Sequence, residues 1–256
     1  MWTPNAGELS FTTSIYYGDA GSATGNTLVP PTISEIGWTA VLADSVLGRA
    51  VRSMLPPNRL CVTLNLRIDW TANSLSGGEF VRGKAAVFDF SGGFALARGE
   101  LWNAEGVAIA SCVGRFKITS TTSAEADAAI HEVRACSEAT IGDFLRLRVV
   151  STSSGRSTTS FRDLGPFANP ANVVHGGVQS AMFDTVARHV AGLDGGEWHV
   201  LDLDVQFLDP VFAAAAQITI EGIVLGRSRN IARVGMRILG TDGPMSTASA
   251  TLCRAR

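Results

Sequence analysis

Apolar and polar residues alternate along most of this chain in short runs of strand period, and two longer stretches switch to the wider spacing of an amphipathic helix. The alternation predicts a strand over Leu9–Tyr17, followed by a Gly/Ser/Thr-rich loop from Gly18 to Thr27. After Pro30-Pro31 a helix is expected to start at Thr32 or Ser34, with Ile36, Ala40, Val41, Val46 and Leu47 on its apolar face. Four strand-like runs come next, at 60–70, 79–90, 94–102 and 107–118, separated by turn residues. Residues 119–139 are Ser/Thr/Ala-rich and read as a linker with one or two helical turns around 124–136. The pattern then begins again, with a strand at 144–151, a helix at 176–191, and strands at 198–207, 215–225, 232–239 and 246–254.

The recurrence extends to residue matches at an offset of 137 to 140. Asp44-Ser-Val-Leu falls on Asp184-Thr-Val-Ala, and Thr63-Leu-Asn-Leu-Arg-Ile-Asp-Trp70 falls on Val200-Leu-Asp-Leu-Asp-Val-Gln-Phe207. Two copies of a unit of about 120 residues account for this economically. Each copy has one long helix and several alternating strands, so the expected class is α+β, with a helix against an antiparallel sheet that curls round it.

Both helices carry a carboxylate among apolar neighbours: Asp44 between Ala43 and Ser45, and Asp184 between Phe183 and Thr185. A buried acid without partners costs several kcal/mol, so each needs a reason. Only the second helix is preceded by His175-Gly176-Gly177, a glycine pair where the free N–H groups and the positive end of the helix dipole meet. Such a start can receive an oxyanion.

Composition narrows the field. The 256 residues are 46% hydrophobic, enough for a large core, and the formal charge of -2 without a Lys/Arg run argues against nucleic acid as a partner. No segment approaches 18 uninterrupted apolar residues and the first residues lack a signal-peptide pattern, so a cytoplasmic protein without a membrane partner is expected. Cys61, Cys112, Cys136 and Cys253 are scattered, which favours buried free thiols over a zinc site or disulfides, and no metal is expected.

The pattern Asn169-x5-His175-Gly176-Gly177-x6-Asp184, with Leu203-Asp-Val-Gln-Phe-Leu-Asp-Pro210 and Gly226-Arg-Ser-Arg, resembles the hotdog-fold acyl-CoA thioesterases of the phenylacetate-pathway-like subfamily. The first half resembles the same fold without the motif: Glu35-Ile36-Gly37 stands in place of His-Gly-Gly, and Val29 in place of the Asn. The resemblance implies a tandem double hotdog, with 1–118 as a degenerate first hotdog that supplies an acid, 119–139 as linker, and 140–256 as the second hotdog bearing the motif. It also implies an acyl-CoA substrate, no separate cofactor, and a homodimer of double hotdogs.

Helix geometry then divides the residues between two sites. Gly176 and Asp184 are separated by roughly 12 Å along one helix at 1.5 Å per residue, too far for one thioester to touch both. A site therefore takes its helix start from one copy and its acid from the other. Asn169, His175 and Gly176 pair with Asp44, and Thr63 travels with Asp44 because the family places a Ser or Thr at that strand position. Gly176 N–H would stabilise the oxyanion, Asn169 would add a hydrogen bond or fix the loop, and Asp44 would act as general base or as nucleophile. Thr63 would orient the water, and His175 would hold the turn or the sulfur side. Gly177, Arg227 and Arg229 are candidates for substrate binding, the arginines for phosphates. The opposite combination, Asp184 with Glu35 and Gly37, is expected to be vestigial. A hotdog hydratase or dehydratase and a non-catalytic acyl-CoA-binding protein are the alternatives.

Overall fold

The computed structural model describes residues 8–12, 14–17, 21–28, 36–71, 80–120, 132–136, 145–169, 172–215 and 217–255. In chain order the strands are β1 Glu8–Thr12, β2 Ser14–Tyr17, β3 Ser22–Leu28, β4 Arg59–Trp70, β5 Phe80–Ser91, β6 Phe94–Trp102, β7 Ala108–Ser120, β8 Glu132–Cys136, β9 Arg148–Ser153, β10 Arg156–Arg162, β11 Trp198–Phe207, β12 Gln217–Arg227, β13 Ile231–Leu239 and β14 Pro244–Arg254. Helix α1 spans Thr39–Arg52 and follows a 3₁₀ turn at Ile36–Trp38; helix α2 spans Gly176–Gly192. Among the described residues no helix is long and apolar enough to cross a membrane.

Twelve strands form one continuous antiparallel sheet in the order β2-β3-β5-β6-β7-β4-β11-β14-β13-β12-β10-β9, and β1 pairs with β8 apart from it. The halves meet where β4 pairs with β11, with Leu66 opposite Val205 and Ile68 opposite Leu203. Outward from that seam the order is β4-β7-β6-β5-β3 on one side and β11-β14-β13-β12-β10 on the other. The strand that follows each helix is therefore central in both halves, and the repeated element order becomes a repeated topology.

Alternation decides which face is covered. Leu66, Ile68 and Trp70 of β4 are buried beside Leu203 and Val205 of β11, whereas Arg67 points to solvent. Both helices lie on that inner face and touch each other. They pass close together at Gly177, where an added Cβ would sit 2.6 Å from the Ala40 carbonyl oxygen and 2.6 Å from Val41 Cα. No side chain but hydrogen lets the backbones approach so far.

Three expectations need correction. The Gly/Ser/Thr-rich segment read as a loop contains β3, paired along its length with β5; its composition hid a strand whose Ala23 and Thr27 are buried. Residues 132–136 of the linker form β8 where helical turns were expected, because β1 offers them a pairing edge; 121–131 and 137–140 lie outside the described residues. The strand expected at 144–151 is β9, shifted to 148–153, and β10 follows it unannounced: buried Ser157, Thr159 and Ser160 leave Phe161 as its one buried apolar residue, too few for an alternating pattern.

Candidate active site

Asp44, on the second turn of α1, is only 5% exposed, and its neighbours come from β4 and from the start of α2. Thr63 on β4 donates its hydroxyl to Oδ1 at 2.9 Å. Gly177 N–H, at the start of α2, donates to Oδ2 at 2.9 Å. His175 Nδ1 lies 3.3 Å from the same oxygen and 3.2 Å from Gly177 N. The Gly177 hydrogen is shared: it donates to Asp44 Oδ2 and, over the longer distance, to His175 Nδ1, which caps the helix. The carboxylate thus gathers two donors and the positive end of the α2 dipole, with His175 Nδ1 in contact, which offsets the cost of burying its charge. Negative charge at Asp44 is also felt behind it. The Cys61 thiol is pushed up to about 12, chiefly by burial and then by Asp44.

The loop into α2 explains how the glycine pair is held. The Asn169 carboxamide oxygen accepts Val173 N–H at 3.1 Å, closing a turn in which Asn172 takes φ +58. His175 N–H bonds the Phe167 carbonyl at 2.9 Å, and Gln179, itself bonded by Ser246, donates to the Val174 carbonyl at 2.9 Å. The first helical residue, Gly176, is left with an N–H that bonds no group among the described residues. A Cβ there would fall 2.8 Å from Asp44 Oδ2 and 3.2 Å from Phe207 Cζ. A free donor, a carboxylate and an aromatic ring therefore converge on one spot.

The second acid is placed by the same symmetry but treated differently. Asp184 is 1% exposed and faces Gly37, where a Cβ would be 2.2 Å from its Oδ2. Arg188, one turn on, binds that oxygen through Nη2 at 2.5 Å and Nε at 3.1 Å. In the first half the position corresponding to Arg188 is Gly48, and that corresponding to Val200 is Thr63. Across from Gly176 stands Phe207; across from the 3₁₀ turn stands Trp70, buried and donating to the Thr39 hydroxyl at 3.0 Å. Glu35 lies outside the described residues.

Asp44, Thr63, His175, Gly176 and Gly177 are thus brought together, and Asn169 supports them from the loop. Arg227 is elsewhere: it binds Asp194 at 2.7 Å and the Ala191 carbonyl, and stacks on Trp198, roughly 22 Å along α2 from Gly176 at 1.5 Å per residue. Arg229 is exposed in the turn after β12. A groove of about 670 Å³ lies on β9, β10 and β12–β14, lined by Arg156, Glu221 and Arg237 among others, and includes none of the candidate residues. Among the described residues no group of three or more His, Cys, Asp or Glu side chains could hold a metal. Sequence reasoning missed Phe207, although its alignment with Trp70 was visible. It also missed Arg188, four residues after Asp184 at the spacing of a helical ion pair.

The sequence pattern of the acyl-CoA thioesterase N-terminal domain matches residues 165–253, and that of the acyl-CoA thioesterase C-terminal domain matches residues 30–113. Together they take up more than half of the chain, in the reverse of the order their descriptions give. Similar folds occur in the tesB protein of Mycobacterium avium subspecies paratuberculosis (TM-score 0.67, 13% identity, 94% of this chain and 96% of that one). They occur too in acyl-CoA thioesterase II TesB2 of Mycobacterium marinum (0.63, 13%, 94% and 94%) and in a hot dog fold protein of Alicyclobacillus acidocaldarius (0.66, 15%, 95% and 96%). A comparison with curated proteins gives no match.

Proposed function

The chain belongs to the acyl-CoA thioesterases, and on that premise we propose that it hydrolyses an acyl-CoA at one site, assembled from Asp44 and Thr63 of one hotdog and His175, Gly176 and Gly177 of the other. The observation that carries the reading is the Asp44 carboxylate held by Thr63 and Gly177 beside the unbonded N–H of Gly176. In this reading the thioester carbonyl oxygen accepts the Gly176 N–H, a contribution of roughly 3 kcal/mol to the tetrahedral intermediate. Asp44 takes the proton of a water that attacks the carbonyl carbon; collapse of the intermediate expels the CoA thiolate, which is protonated to the free thiol. Thr63 and Gly177 fix the carboxylate, with His175 Nδ1 in contact. Asn169 holds the loop that aims Gly176.

The boundaries we propose are 1–118 and 140–256 for the two hotdogs, joined by 119–139. The opposite site, with Asp184 bound by Arg188 and Val200 in place of Thr63, is silent in this reading. The family resemblance further supports a cytoplasmic homodimer that needs no cofactor. Because the His175–Asp44 contact is also what a hydratase would require, hydration of an enoyl-CoA is the second reaction to assay. The test is thiol release from a panel of aryl- and alkyl-CoA esters. Turnover of at least one ester is expected, and hydration without thiol release would replace the reading.

A further inference from the structure

The β5–β6 hairpin ends in Ser91-Gly92-Gly93, with both glycines at positive φ and open space where either Cβ would be. Around this tip stand three exposed phenylalanines: Phe88 (51%), Phe90 (42%) and Phe94 (42%). They do not share a face. Phe94 is opposite Lys117, which is opposite exposed Val62, so it lies on the outer surface; Phe90 is opposite Ala95, in the row of Phe116 and Thr63, on the inner one. Phe88 is the extra residue of a bulge and lies under the Arg98 guanidinium at 5.6 Å. Lys117, Arg115 and Arg98 are all exposed on the outer face of the sheet here, with Asp89 in the hairpin and Glu100, two residues beyond Arg98 on β6, as the carboxylates along these strands.

We infer that this tip docks the protein on an anionic lipid surface. A second copy of the sheet would cover one face of the hairpin and leave the phenylalanine on the other in water, whereas a bilayer interface surrounds a tip on both sides. Aromatic side chains favour the interfacial zone, and each cation held near an anionic surface adds about 1 kcal/mol, or roughly fivefold in binding. The placement relative to the site gives docking a use. Phe90 lies in the cross-strand row of Thr63, three strands away, roughly 14 Å at 4.8 Å per strand. The end of β11 lies at this same end of the sheet, beside the start of β4, and the loop after it exposes Leu208 and Phe212 next to the α2 start. A docked tip would therefore hold the mouth of the Asp44 site against the surface from which long acyl chains arrive.

The experiment is co-sedimentation of the full chain with vesicles of phosphatidylcholine and of an equimolar phosphatidylcholine–phosphatidylglycerol mixture. The wild type is expected to bind the anionic vesicles, and Phe88→Ser with Phe94→Ser to lower binding about tenfold or more. Arg98→Gln with Lys117→Gln should remove the preference for anionic lipid, and Phe94→Trp should shift its emission to the blue on vesicles. Melting temperature and turnover of a water-soluble acyl-CoA check that each variant is folded; vesicle binding itself does not depend on turnover. No binding by the wild type, binding indifferent to the phenylalanines, or an oligomer that the Phe88→Ser, Phe94→Ser variant dissolves would overturn the inference.

Discussion

Gly176 and Gly177 are adjacent and both crowded, yet the atoms that crowd them differ, and this separates catalysis from folding. An alanine methyl at 177 would meet backbone, the Ala40 oxygen and Val41 Cα at 2.6 Å, which only a shift of one helix against the other could relieve. Overpacking of that kind costs about 1–3 kcal/mol, or roughly 2–12 °C in melting temperature for a chain of this size. At 176 the obstacles are side chains, Asp44 Oδ2 at 2.8 Å and Phe207 Cζ at 3.2 Å. These can turn away, and the better helix propensity of alanine returns about 0.5–1 kcal/mol. Gly176→Ala should therefore melt within a few degrees of the wild type, while displacing the carboxylate about 1 Å from its position and lowering kcat/KM roughly 100-fold. Gly177→Ala should lose both stability and activity. Thermal melts and thiol-release kinetics on the two variants decide the matter. Wild-type kcat/KM in Gly176→Ala would refute the idea that a reacting group sits between Gly176 and Asp44.

The Asp184–Arg188 pair is read as structural, so Arg188→Met should take the charged partner from a buried carboxylate and cost about 3–5 kcal/mol in urea unfolding, with kcat per folded molecule kept. Burial pushes the Cys61 and Cys112 thiols from 9.0 up to about 12. In the folded protein they keep their protons where the unfolded chain loses them, so their contribution to stability should be level below pH 9 and fall between about 9 and 12; Cys112→Ala should lessen that fall. Neither thiol should react with a maleimide at neutral pH until the chain unfolds.

Much of this architecture was legible because burial on one face writes itself as alternation. The strands from β4 to β7 and from β11 to β14 match their expected ranges to within a few residues, since residues such as Leu66, Ile68, Leu203 and Val205 had to face the helices. β3 and β10 escaped because threonine, serine and glycine share their inward positions with only Ala23 and Phe161, too little apolar material to show a period. The pairing of Asp44 with the α2 start came from helix rise, which separates Gly176 from Asp184, together with the internal repeat and the family resemblance. What sequence could not supply was the division of donors within the glycine pair: Gly177 N–H is spent on Asp44, and Gly176 N–H has no partner among the described residues. Nor could it show Arg188 folded back on Asp184, a choice of rotamer and burial that the spacing permits but does not compel.

Thiol release from an acyl-CoA ester by the wild type, Asp44→Asn and Asp184→Asn, with melting curves on all three, separates the two buried acids. The account predicts that Asp44→Asn stays folded and loses at least about 1,000-fold in kcat, while Asp184→Asn retains kcat within about threefold whatever its melting temperature. A loss that followed Asp184, with Asp44→Asn still active, would contradict the single site shared between the two halves.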